Sequence, residues 1–64
     1  MKLKIEIVMD NAAFEPNNGG IGTEAARILR ELADRLDGDQ LAWRDLRPLR
    51  DINGNRVGEA KVTR

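Results

Sequence analysis

The sequence predicts a small α+β domain in the order β-α-β-β, with one helix packed on a three-stranded, mainly antiparallel sheet. Three stretches predict it. Residues 2–9 alternate apolar and polar side chains, residues 23–37 carry apolar side chains at helical spacing, and Asn53-Gly54 separates two extended stretches over residues 49–58. With 64 residues, the chain is expected to form a single domain, 1–64.

In the first strand, Leu3, Ile5, Ile7 and Met9 share one face, and Lys2, Lys4, Glu6 and Val8 share the other. Val8 interrupts the polar face, so another chain is expected to cover part of it. Asp10 to Gly22 reads as a long flexible loop rich in Asn and Gly, punctuated by Pro16. Loops beyond about twelve residues are usually functional or mobile. Phe14 stands alone in this polar loop. It is expected to fold back over the core or, as the alternative, to anchor a partner protein.

Thr23 reads as the helix N-cap, because its hydroxyl can accept from a free amide of the first turn. Glu24 follows, where a negative charge favours the positive end of the helix dipole. Ala25, Ile28, Leu29, Leu32 and Leu36 then form one apolar stripe. Arg27–Glu31, Arg30–Asp34 and Glu31–Arg35 are spaced to pair along the wet face. Gly38 is expected to close the helix in the left-handed conformation. Residues 40–48 read as a loop or short strand, since Pro48 is excluded from a central strand.

The hairpin admits two registers. A two-residue Asn53-Gly54 turn would leave Leu49 opposite Gly58. A type I turn starting at Asp51, with Gly54 left-handed, pairs Leu49 with Val57 and sets Arg50 opposite Arg56. Matching two apolar residues outweighs two screened arginines, so the bulged turn is expected, with Ile52 exposed at its tip. The apolar phase shifts again at Gly58, where a second bulge would restore it. One helix covers one sheet face; the other, with Val8 and Val57, is left open to water or a second subunit.

Composition narrows the chemistry. Cys and His are absent, which removes disulfides and the usual zinc sites, and a domain this small commonly needs an extra source of stability. Self-association, as a homodimer, or a protein partner is the expected source. Ser and Tyr are also missing, so most nucleophiles and the commonest general base are gone. No catalytic residue, metal ligand or cofactor is assigned, and the protein is read as not an enzyme. Asp51, Asn53 and Asn55 alternate like the start of a calcium loop, but the glycine falls one place early and the far acid is missing.

The 11 basic and 11 acidic residues cancel. Residues 1–42 hold five basic against eight acidic residues, and residues 43–64 hold six against three. Arg44, Arg47, Arg50 and Arg56 in the basic half, beside Trp43, are candidate contacts for a partner or for nucleic acid. Asp45 and Asp51 dilute that patch, and nucleic acid is the alternative rather than the leading expectation. Gly20-Ile21-Gly22-Thr23-Glu24-Ala25 matches a dinucleotide-type glycine loop but lacks the preceding strand and second βαβ unit. Gly20, Gly22 and Thr23 are therefore candidates only for a generic anion contact, with a small-molecule or nucleotide module as a further alternative. No apolar run is long enough to span a membrane, so a cytoplasmic protein is expected.

Three stretches together carry a resemblance: Asp10-Asn11-Ala12-Ala13-Phe14, Ala26-Arg27-Ile28-Leu29-Arg30-Glu31-Leu32-Ala33 and Leu49-Arg50-Asp51-Ile52-Asn53-Gly54-Asn55-Arg56-Val57-Gly58. The chain resembles small, uncharacterised accessory proteins of phages and prophages over most of its length. The resemblance brings no catalytic residue with it. It implies a context: a protein in the host-cell cytoplasm that binds a host protein or inhibits a defence component, often as a dimer. The expected function is thus a non-enzymatic protein–protein interaction module, with Phe14 and Ile52 as its apolar contact residues.

Overall fold

The computed structural model describes residues 1–64. Strand β1 spans Lys2–Ile7, helix α1 Gly20–Leu36, strand β2 Leu46–Arg50 and strand β3 Arg56–Thr63. The three strands form one sheet in the order β1-β3-β2, with both pairings antiparallel. The β-α-β-β order is the one the sequence predicts.

Between β1 and α1 the chain makes two single-turn 3-10 helices, Ala12–Phe14 and Pro16–Asn18. The stretch read as a flexible loop is therefore folded onto the domain, and residues 20–22 belong to α1. Asn11 Oδ1 accepts from the Ala13 N–H at 3.1 Å, and Asn18 Nδ2 donates to the Ala12 carbonyl at 2.8 Å. These bonds turn Phe14 inward. It is only 3% exposed and joins Ala13, Ile28, Leu32, Leu49, Val57 and Ala60 in the core. Phe14 is thus a core residue, and its role as a partner anchor is withdrawn.

The helix starts earlier than Thr23. Gly19, with φ of +96°, caps it without any side-chain hydrogen bond, and Thr23 lies inside the first turn. A side chain at residue 19 would be strained by that φ and would also run into Thr23. Gly38 is left-handed just past the helix, as expected. Of the three predicted ion pairs only Arg27–Glu31 forms, at 2.9 Å. Arg35 instead donates to the Pro48 carbonyl at 3.1 Å.

The hairpin turn follows the bulged reading. The Gly54 N–H donates to the Asp51 carbonyl at 3.0 Å, Gly54 has φ of +86°, and Arg50 stands opposite Arg56. The expected Leu49–Val57 pair does not form: the Cα partner of Leu49 is Gly58, and Val57 is the extra residue of a bulge. A bulged residue leaves the alternation, which is how Val57 reaches the core beside Leu49. That bulge falls where the apolar phase shifts in the sequence.

Register places Leu3, Ile5 and Ile7 opposite Val62, Ala60 and Gly58, on the face that carries α1. The opposite face bears Lys2, Lys4, Glu6, Glu59 and Lys61. It is charged along β1 and β3, with Leu46 and Pro48 of β2 beside Lys61 and Glu59. The expectation that it exposes Val57 fails because the bulge buries that residue. The helix lies over the β2 side of the sheet, where Arg27 and Arg35 reach β2 carbonyls. Leu3 and Ile5 on β1 consequently remain 44% and 43% exposed.

Candidate functional site

The candidate site is the tip of the β2–β3 hairpin. Two buried carboxylates build it. Asp51 Oδ1 accepts from the Asn53 and Asn55 N–H groups, each at 2.9 Å. Its Oδ2 accepts from Asn11 Nδ2 at 2.7 Å and Asn55 Nδ2 at 3.2 Å. Asp, unlike Ala, closes such a turn on itself by gathering the amides two and four residues on. The three residues that alternate like a calcium loop are thereby accounted for as one hydrogen-bonded turn. Burial pushes the Asp51 carboxyl up, but the donors of Asn55, Asn11 and Asn53 outweigh it and hold the group below its ordinary value.

Glu24 supplies the second clamp from α1. It is 4% exposed, and its Oε2 accepts the Ile52 N–H at 2.9 Å. Arg27 Nε donates to Glu24 Oε1 at 2.6 Å, and Arg27 Nη2 reaches the Arg50 carbonyl at 3.1 Å. The Arg27 guanidinium, opposed by burial and aided by the Ile52 N–H, holds the Glu24 carboxyl below its usual value. The backbone of Ile52 is thus fixed from below while its side chain, 67% exposed, points to water.

The other sequence-predicted residues are dispersed. Arg47 pairs with Asp39 at 2.8 Å and lies 3.7 Å from Asp45. Arg56 lies 3.6 Å from Glu59, and Arg50 Nη1 donates to the Gly54 carbonyl at 3.3 Å. Arg44 sits beyond the far end of β2, with φ of +73°, its guanidinium 4.4 Å from the Trp43 ring centroid. Arg50 and Arg56 stand opposite each other across the hairpin. Arg47 falls on the other face of β2, Arg44 lies before the strand, and acids sit beside Arg47 and Arg56, so the four form no common patch. Gly20, Gly22 and Thr23 lie in the first turn of α1, away from the preceding strand that a dinucleotide loop requires.

Two features escaped the sequence. The Arg64 guanidinium also lies over the Trp43 ring, 4.2 Å from its centroid, so two cations share one ring. Residues 43 and 64 are distant in the chain, and no spacing signals that contact. The second is the Glu24–Ile52 clamp, which joins residues 28 apart. A helical Glu in a first turn reads as a dipole partner from sequence, and only the packed helix shows it reaching a turn. No helix of the structure is long and apolar enough to cross a membrane. No family model, curated protein or solved structure matches this chain.

Proposed function

We infer that the protein is a non-enzymatic interaction module that docks on another protein through its hairpin tip. One observation carries this reading: Ile52 is a large apolar side chain held out in water by a backbone that two buried carboxylates fix. Ordering an anchor before binding removes an entropic cost from association, and such anchors supply much of the binding energy of small interfaces. Elsewhere the tip is polar, with Asn53, Asn55 and Arg56 exposed around Ile52, the arrangement of a small apolar centre in a polar rim. The resemblance to phage accessory proteins supplies the setting, a host or defence protein met in the host cytoplasm. Nucleic acid is the weaker reading, since only Arg50 and Arg56 of the four arginines adjoin, and two of the four are paired with acids.

The test is affinity capture from host lysate with wild type, Ile52→Asp and, as a control on the exposed helix face, Arg30→Asp. Ile52→Asp is expected to weaken capture of at least one specific protein by roughly 30-fold or more, as loss of an apolar anchor does. Arg30→Asp is expected to retain it. Full retention by Ile52→Asp overturns the reading.

A further inference from the structure

The two edges of the sheet are treated differently. On β2 the outward carbonyls are all taken by arginines: Leu46 by Arg47 at 3.3 Å, Pro48 by Arg35 at 3.1 Å and Arg50 by Arg27 at 3.1 Å. Pro48 moreover has no N–H to offer. That edge is closed to a further strand.

On β1 nothing comparable occurs. The Val8 N–H donates to the Val57 carbonyl at 2.8 Å, and the β1–β3 register runs without interruption from Lys2 to Ile7. Antiparallel alternation then turns Lys2, Lys4 and Glu6 toward β3, and turns the N–H and C=O groups of Leu3, Ile5 and Ile7 outward. No side chain or loop of the molecule bonds to those outward groups. On the helix-bearing face of the same strand, Leu3 and Ile5 are nearly half exposed.

We propose that β1 pairs with β1 of a second copy, antiparallel about a two-fold axis through Ile5, to make one six-stranded sheet. The pattern of the strand selects both this occupant and this register. Ile5 meets Ile5 of the second copy, Leu3 meets Ile7, and Lys4 meets Glu6, twice over by symmetry. All three outward-facing residues fall opposite outward-facing residues, so the open groups bond reciprocally. Sliding the second copy by two residues sets Lys4 against Lys4 in one direction and Glu6 against Glu6 in the other. Within one chain, Lys4 stands opposite Lys61 and Glu6 opposite Glu59, like charge against like, and neither Lys4 nor Glu6 forms an ion pair. The second copy provides the counter-charge that each lacks.

This pairing goes beyond the hairpin-tip reading and uses the opposite edge of the sheet, so each can fail alone. A dimer would carry two Ile52 tips and engage a repeated or dimeric partner with an avidity neither tip has singly.

Sedimentation equilibrium tests the pairing with wild type, Lys4→Glu, Glu6→Lys and an equal mixture of the two variants. Wild type is expected at twice the 7.2 kDa protomer mass. Each variant alone places like charges at both contacts and is expected to dissociate roughly ten-fold or more readily. Their mixture places opposite charges at both contacts and is expected to restore the dimer. Each substitution also gives its own chain a favourable pair with Lys61 or Glu59, so thermal melting of the dissociated variants should show intact folding. Ile52→Asp should stay dimeric whatever its effect on partner capture. A wild type that remains a single protomer up to ~1 mM, beyond the range of weak specific interfaces, overturns the proposal. So do variants that associate as tightly as wild type, or a mixture no tighter than its parts.

Discussion

Gly58→Ala is expected to leave the domain largely unfolded at room temperature. Gly58 sits on the central strand between Ile7 and Leu49, next to the Val57 bulge. A Cβ there would run into the Glu6 carbonyl oxygen, and would lie 2.9 Å from the Glu6 carbonyl carbon and 3.0 Å from Ile7 Cα. The obstacle is backbone on both counts, so no rotamer change relieves it, and β1 must separate from β3. Steric conflicts of this kind belong to the small class of substitutions costing more than about 4 kcal/mol. A domain of this length has roughly 3 to 10 kcal/mol in all. Gly22→Ala gives the opposite sign. Its Cβ meets nothing within 4 Å, and Ala in a helix is better than Gly by up to about 1 kcal/mol. Thermal melts by far-ultraviolet circular dichroism separate the two; equal melting temperatures would refute the close approach at Gly58.

Glu24→Ala is expected to cost about 2 to 4 kcal/mol, because it strands the Ile52 N–H and removes the buried partner of Arg27. Glu31→Ala, which removes only the exposed partner of the same arginine, should cost no more than about 0.5 kcal/mol. The clamp also makes stability depend on acid. Glu24 and Asp51 both titrate below their ordinary values of 4.5 and 3.8 in the folded protein, so the unfolded chain binds protons first as pH falls. Their contribution is complete above the ordinary carboxylate range. It is lost progressively as pH falls through that range toward their lower folded values. Urea midpoints for wild type are therefore expected to drop between pH 6 and pH 3, as roughly expected for depressed carboxyls. Glu24→Gln should flatten that drop. A Glu24→Gln curve parallel to wild type would show that Glu24 carries none of it.

The fold was legible wherever the signal is local. The Ile28 and Leu32 spacing marks the buried side of α1, Asn53-Gly54 marks the turn, and the phase shift at Gly58 marks the bulge. The start of α1 was not legible, since a left-handed Gly19 caps it without the polar side chain by which helix starts are recognised. Phe14 lay in an apparently loose loop because Asn11 and Asn18, which fold that loop, read equally well as loop residues.

The candidate site was legible only at its exposed point. Ile52 was assigned to the tip from the turn type, but the groups that hold it come from far away. Asn11 reaches Asp51 across 40 residues and Glu24 reaches Ile52 across 28. The arginines illustrate the same limit. Counted along the chain Arg44, Arg47, Arg50 and Arg56 suggest a basic patch, yet in the fold Arg47 joins Arg27 and Arg35 in bonding the carbonyls of one strand edge. Closing the β2 carbonyls in this way leaves β1 as the one edge whose outward carbonyls are open.

Amide hydrogen exchange on β1 tests that asymmetry most directly, because alternate residues of one strand serve as their own control. The Lys4 and Glu6 amides, bonded to β3, should be protected at every protein concentration. The Leu3, Ile5 and Ile7 amides should be protected in concentrated solution and lose protection on dilution, as the two edges part. Equal, fast exchange of those three amides at high and low concentration would contradict the pairing of β1 with its copy.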